Sequence, residues 1–251
     1  MGTQFWLSDE QFVRIKPHLP TDTRGVPRVD DRRVISGIVH VLISGCRWSD
    51  APERHGPRKT LCNRWVRGAK KGVRQRAFEA LAASGGPTAE LMLDSTWAKA
   101  HRSAAGGKGG GAANAIGRSR GEPTTKLHGV VDQRGRLAAY EITPGQRGDA
   151  PVADGLIDRL PAAATFLADR AYDSDALRAR LLERGTTPVI PNAPYRKRLH
   201  PFDRGAYARR NLVERAFCRP KDFRRFATRY DRLAATYSTT IALAAIVAWW
   251  I

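Results

Sequence analysis

Apolar and polar positions along the chain fall into three successive patterns. Up to about Ala83 the period is helical. Ser8 stands before Asp9, Glu10 and Gln11, a start in which a hydroxyl and the side chain three residues on can cap each other's backbone N–H groups. Asp30 or Asp31 heads a second helix. Its apolar positions Val34, Ile35, Ile38, Val39, Leu42 and Ile43 form one stripe, and Gly45 follows its end. A third helix is expected from about Lys59, through Cys62, Trp65 and Val66, towards Ala69. Ser84-Gly85-Gly86-Pro87-Thr88 then breaks the pattern as a linker.

From Ala89 the period changes. Ala89–Asp94 and Thr165–Asp169 are short apolar runs that each end in a carboxylate. Lys126–Asp132 and Leu137–Thr143 alternate as two strands joined by the turn Gln133-Arg134-Gly135-Arg136. Asp149–Leu160 and Asp173–Glu183 carry helical apolar faces, and Thr187–Ile190 reads as a further strand. The Gly-rich stretch 104–121 is expected as a flexible loop. From Pro191 a basic loop gives way to helices, the longest predicted from an Asp203 cap through Arg225. Strand, hairpin, helix, strand, helix, strand, helix is the succession of an α/β, ribonuclease-H-like domain, a mixed sheet flanked by helices. It is expected over residues 88–251, preceded by a small helical domain over 1–84.

Composition narrows the partners. Forty-three Lys and Arg against twenty-four Asp and Glu give a net charge of +19 and an isoelectric point near 10.8. That balance selects polyanions. The longest apolar run, Ile241–Ile251, falls far short of the ~20 residues of a membrane-spanning helix. No signal-peptide pattern opens the chain, so a cytoplasmic protein is expected. Three cysteines without a Cys-x-x-Cys pair support neither a disulfide framework nor a zinc site. Between 51 and 76 nine basic residues face one acid, Glu53. Short helices followed by this basic one resemble a helix-turn-helix, with Arg58, Lys59, Arg64, Arg67, Lys70 and Lys71 as DNA contacts. A helical bundle with a solvated basic face is the alternative. Lys108, Arg118 and Arg120 in the Gly-rich stretch, and Lys126 beyond it, are further candidates for DNA phosphates.

The acids suggest chemistry. If the two apolar runs lie side by side, Asp94 and Asp169 share one sheet edge, where a bound cation offsets their burial. On an ideal helix Tyr207, Arg210, Glu214 and Lys221 fall within about 60° of one another, so Glu214 is the candidate third acid. Taken alone, Arg210 and Glu214, four residues apart, read more readily as a solvated ion pair. Three carboxylates suit Mg²⁺ or Mn²⁺, and two such ions can drive an in-line phosphoryl displacement. Asp132, Asp149 and Asp173 are rival second acids, the last two better suited to helix starts.

Several segments together carry a resemblance. Tyr207-x2-Arg210-x3-Glu214-x6-Lys221, Leu93-Asp94-Ser95-Thr96, Lys99 to Ala104, Gly117 to Gly121 with Thr124-Thr125-Lys126, Thr143-Pro144-Gly145-Gln146, Ala168 to Asp173, and Arg224 to Asp231 are similar to bacterial insertion-sequence transposases of the DDE class. With Cys46 to Arg54, they resemble the IS-five group in particular. The resemblance implies Asp94, Asp169 and Glu214 as catalytic metal ligands, with Tyr207, Arg210 and Lys221 supporting. It implies binding of the element's terminal inverted repeats and of target DNA, metal-dependent 3′-end cleavage and strand transfer. It also implies assembly as a homo-oligomer on DNA, without a small-molecule cofactor. A non-catalytic DNA-binding regulator of the element and a plain metal-dependent nuclease are the rival readings. Pro220, Gly68 and Arg74 depart from the group's pattern.

Overall fold

The computed structural model describes residues 4–20, 30–119 and 121–251; Arg120, expected among the DNA contacts, lies outside them. Helices run in the order α1 (Asp9–Ile15), α2 (Asp31–Ser44), α3 (Arg58–Lys70), α4 (Val73–Ala83), α5 (Gly110–Ala113), α6 (Ala150–Ile157), α7 (Asp175–Glu183), α8 (Arg204–Tyr207), α9 (Asn211–Cys218), α10 (Arg224–Ala227) and α11 (Ala234–Ala245). Strands are β1 (Glu90–Ala100), β2 (Gly117–Ser119), β3 (Glu122–Asp132), β4 (Leu137–Pro144), β5 (Thr165–Ala168), β6 (Thr187–Val189) and β7 (Thr228–Arg229).

The chain forms two compact units that alternate in sequence. The first joins Met1–Leu81, Lys99–Asn114 and Pro220–Ile251; the second joins Ala82–Ala98 and Ala115–Arg219. These units cut across the expected consecutive division of the sequence into 1–84 and 88–251. Within the first unit α11 is buried without a break from Thr239 to Ala245 and so must be enclosed. It packs on α2, α3 and α10.

In the first unit the predicted caps are in place. Ser8 Oγ accepts from the Gln11 N–H at 3.1 Å, and Gln11 Oε1 accepts from the Ser8 N–H at 3.0 Å. Asp30 caps α2 through the N–H groups of Arg32 and Arg33, and Gly45 closes it at φ 71°. The α2 stripe is buried apart from half-buried Ile43, and α3 buries Leu61, Trp65 and Ala69. α4 was not separately predicted; it starts after a turn at Gly72, φ 60°. The Gly-rich stretch, expected as a flexible loop, holds α5 and β2 and follows a 3₁₀ turn at Arg102–Ala104. β7 pairs in parallel with Lys99 and Ala100 at the end of β1.

The second unit is built on a mixed sheet. β1, β5 and β6 are parallel neighbours, while β3 lies beside β1 and pairs antiparallel with β2 and β4. α6 covers β4, α7 covers β6 and α9 covers β3. Leu91, Leu93, Val130, Val152, Leu156, Phe166, Leu177, Leu181 and Ile190 form its core. Burying such a side chain stabilises the fold by about 1.5–3 kcal/mol. This is the expected α/β architecture of a mixed sheet flanked by helices.

Two local expectations are corrected. β1 does not end at Asp94 but runs on to Ala100. The continuous helix from Asp203 to Arg225 is instead α8, a 3₁₀ turn, α9, a second 3₁₀ turn and α10. Asp203 does cap its start, accepting from the Ala206 N–H at 2.9 Å. Pro220 has no N–H to give the carbonyl of Ala216, and α9 stops at Cys218. Among the described residues no helix is long and apolar enough to cross a membrane.

Candidate active site

Strand register places the first two acids. Leu93 of β1 stands opposite Ala168 of β5, so Asp94 and Asp169 follow at matching positions of neighbouring parallel strands. Asp94 Oδ1 accepts from the Ser95 N–H at 2.8 Å. Asp169 Oδ1 accepts from the Ala171 N–H at 2.8 Å and so caps the 3₁₀ turn Arg170–Tyr172. Glu214 comes from the first turn of α9.

Arg210 ties the site together. Its Nη2 lies 2.8 Å from Asp94 Oδ2, and its Nη1 donates to Glu214 Oε1 at 2.8 Å. The Tyr207 ring centroid is 5.9 Å from this guanidinium, and Phe202 packs edge-on against Tyr207 at 5.2 Å. Burial pushes the Asp94 carboxyl above its ordinary range; Arg210 and the Ser95 N–H pull it down, and Asp169 and Glu214 add to the rise. Burial also works against the charge on Arg210, but Asp94, Tyr207, Asp169 and Glu214 together outweigh it and raise its pKa. Burial raises the Tyr207 phenol.

The predicted constellation is thus partly assembled. Asp94, Asp169, Glu214, Arg210 and Tyr207 act on one another electrostatically. Lys221 is exposed and lies past the Pro220 break, outside α9, so the four residues do not share one continuous helix. Nor do the acids converge: among the described residues no three Asp, Glu, His or Cys side chains are grouped to hold a metal ion. Arg210 bridges Asp94 and Glu214 instead. The donor chemistry nevertheless fits a hard divalent cation, since Asp94, Asp169 and Glu214 are all carboxylate oxygen donors, and the latter two act electrostatically on Asp94.

Rival acids are consumed structurally. Asp132 accepts from the N–H groups of Arg134 and Arg136, both at 2.9 Å, in the hairpin turn. The Asp173 carboxylate is fully buried between Arg178 and Arg196. Asp149 precedes α6 as expected but makes no capping bond there. Its Oδ1 instead takes Lys126 Nζ at 3.1 Å and lies 3.4 Å from His128 Nδ1.

That corrects Lys126, expected as a DNA contact. It is buried, donates to the Arg147 carbonyl at 2.8 Å and lies 5.2 Å from the Trp97 ring centroid. Arg64 is likewise half-buried and paired with Asp31. Arg225 and Arg229, cations of the helical stretch after Pro191, are buried and donate to backbone carbonyls of Cys46 and Asp231. Arg58, Lys59, Arg67, Lys70, Lys71, Lys108 and Arg118 are exposed.

Sequence reasoning missed Tyr172 and the polar group beside it. Tyr172 is buried, and its hydroxyl makes no hydrogen bond of good geometry, although Ser95 acts on it electrostatically. Burial, then Asp149, Asp94 and Asp169, raise its pKa. The available signal was Lys126 and His128 two apart on a strand, hence on one face.

The chain is similar to several known proteins. Residues 7–78 match a family model described as "Putative transposase of IS4/5 family", and residues 86–250 match one described as "Transposase DDE domain". A Brucella ovis protein named "Putative transposase for insertion sequence element IS6501" is 35% identical over 127 residues, covering 50% of this chain and 98% of the relative. Its counterpart for IS402 from Burkholderia cepacia is 30% identical over 142 residues, covering 52% and 65%. Among solved structures, the piggyBac transposase synaptic complex with hairpin DNA has a TM-score of 0.43 at 14% identity, covering 76% of this chain and 48% of that one. A pre-cleavage Mos1 transpososome has a TM-score of 0.29 at 15% identity, covering 94% and 83%.

Proposed function

The chain belongs to the family of transposases with a DDE domain, and we propose that Asp94, Asp169 and Glu214 carry its phosphoryl chemistry on DNA. The observation behind this reading is the β1–β5 register, which sets Asp94 and Asp169 side by side while Arg210 links Asp94 to Glu214. The reaction is 3′-end cleavage at the terminal inverted repeats of an insertion sequence, followed by strand transfer to target DNA. The match of residues 7–78 to the IS4/5 description supports the IS-five resemblance.

Asp94, Asp169 and Glu214 would hold Mg²⁺ or Mn²⁺, two ions in all, which supply positive charge to the reacting phosphate and acidify the attacking water. Arg210 pairs with two of the acids, and its planar fork also suits a phosphate oxygen pair. Tyr207 and Phe202 wall the guanidinium from water. The exposed cations of α3 and its end, Arg58, Lys59, Arg67, Lys70 and Lys71, supply phosphate contacts, with Lys108 and Arg118. The protein works in the cytoplasm as a homo-oligomer assembled on the two DNA ends.

Cleavage of a labelled duplex carrying the element's own terminal repeat, with Mg²⁺ or Mn²⁺, tests the reading. The wild type nicks at the repeat end, and Glu214→Gln does not. Binding without nicking by the wild type refutes the catalytic assignment.

A further inference from the structure

The segment from Pro191 to Phe202, between β6 and α8, contains no acid. It is held at two levels. At its base Asn192 Nδ2 donates to the His200 carbonyl and the His200 N–H donates to Asn192 Oδ1, both at 2.9 Å. In its middle Arg196 turns inward, with Nε 2.8 Å from Asp173 Oδ2 and Nη1 2.5 Å from Asp175 Oδ1. Asp173 also accepts from the Ala193 N–H at 2.7 Å, and Asp175 meets His200 Nε2 at 2.8 Å.

This anchoring decides what the tip presents. Of three consecutive cations, Arg196 is spent inside, while Lys197 and Arg198 are exposed. They are flanked by Tyr195 at 85% exposure and Leu199 at 70%. An ordinary solvated loop has no use for a phenol ring and a leucine held in water by a charged clamp, since their burial elsewhere would stabilise the fold. The far end of the segment reaches the site: Phe202 packs on Tyr207, Tyr207 on Arg210, and Arg210 bridges Asp94 and Glu214.

We infer that the tip Tyr195–Leu199 is a DNA contact flanking the reacting phosphate, with Lys197 and Arg198 on backbone phosphates and Tyr195 and Leu199 against sugar and base surfaces. The inference rests on the assignment of phosphoryl chemistry to Asp94, Asp169 and Glu214. The clamp on Arg196 orders the tip in advance, so little conformational freedom is lost on binding. An aromatic interleaved with cations is the pattern that grips a nucleic-acid strand with little regard to sequence.

Binding of fluorescein-labelled duplex DNA by the full chain, followed by anisotropy across a salt series in EDTA, separates this contact from catalysis. Replacing both cations (Lys197→Ala with Arg198→Ala) should make the slope of log K against log salt shallower by about 2, near 0.9 per phosphate. Tyr195→Ala should weaken binding roughly tenfold, and Tyr195→Phe should bind as the wild type does. These side chains point to solvent, so unchanged melting temperatures verify that the variants fold. A wild-type slope in the double variant, or wild-type affinity in Tyr195→Ala, overturns the inference. With cleavage by the wild type intact, that outcome leaves the acid triad standing. Failed cleavage with the expected binding changes condemns the triad and spares the loop.

Discussion

Asp94 and Asp173 are both removed from bulk water, and their surroundings drive them in opposite directions. Asp173 accepts from Arg178, from Arg196 and from the Ala193 N–H. Burial disfavours its charge, but those three donors prevail and its pKa falls. Asp94 has one guanidinium, shared with Glu214, and one backbone N–H, and its pKa rises. The difference teaches how a fold treats an acid it uses for itself and one it reserves. A carboxylate with every lone pair taken fixes a loop. A carboxylate left short of donors keeps capacity for a cation, and the fold bears the cost.

Replacing each acid tests that contrast most directly. Asp94→Asn should bring cleavage to background while thermal unfolding stays level or rises slightly. The sign follows from its raised pKa: the protonated form is favoured in the fold, so stability present at low pH is lost as pH rises through the shifted value. A melting temperature that collapses with Asp94→Asn breaks the comparison. Asp173→Asn should lower stability by about 3–5 kcal/mol in urea unfolding, because Arg178 is left buried without its counter-charge. A loss below about 1 kcal/mol would mean that the latch is not structural.

His55 extends the contrast to a buried imidazole packed against the rings of Trp6 and His40. Among the described residues neither ring nitrogen makes a hydrogen bond. Burial, then His40, Arg54 and Arg33, press its pKa from 6.5 to about 4. The unfolded chain therefore takes up a proton first as pH falls. His55 favours the fold above pH 6.5, and that contribution drains away between 6.5 and about 4, by at most about 1.4 kcal/mol per pH unit. His55→Phe should flatten the pH dependence of unfolding in this window; an unchanged profile would assign it elsewhere. The smallest effect is expected at Asp175, whose carboxylate meets Arg196 and His200 in water. Asp175→Asn should leave the melting temperature within experimental scatter, and a clear drop would make the exposed half of the latch as important as the buried half.

Much of this was legible beforehand where a local rule and the tertiary fold agree. The α2 stripe between Asp30 and Gly45, the β3–β4 hairpin and the apolar run ahead of Asp169 each stand where periodicity and turn chemistry put them. The run ending in Asp94 was read too short, because Ser95 to Ala100 lacks the apolar character that marks a strand, yet sheet neighbours hold it extended. Helical geometry carried past Pro220 grouped Lys221 with Glu214, and the break removed it. Lys126 was counted as a surface cation because burial of a lysine depends on Asp149 and Trp97, distant in sequence or on another strand. Arg210 was recognised as a neighbour of Glu214, but its bond to Asp94 depends on a sheet that periodicity does not describe.

The alternation of the two compact units also governs how the protein comes into being on the ribosome. The N-terminal helices emerge first but lack α10 and α11, which are translated only after the entire second unit has passed. The sheet unit can close around its own core while the helical unit still waits for its last thirty-odd residues. A message cut between Glu214 and Pro220 therefore yields the acids without a finished helical unit, and no single proteolytic nick separates the two as intact fragments.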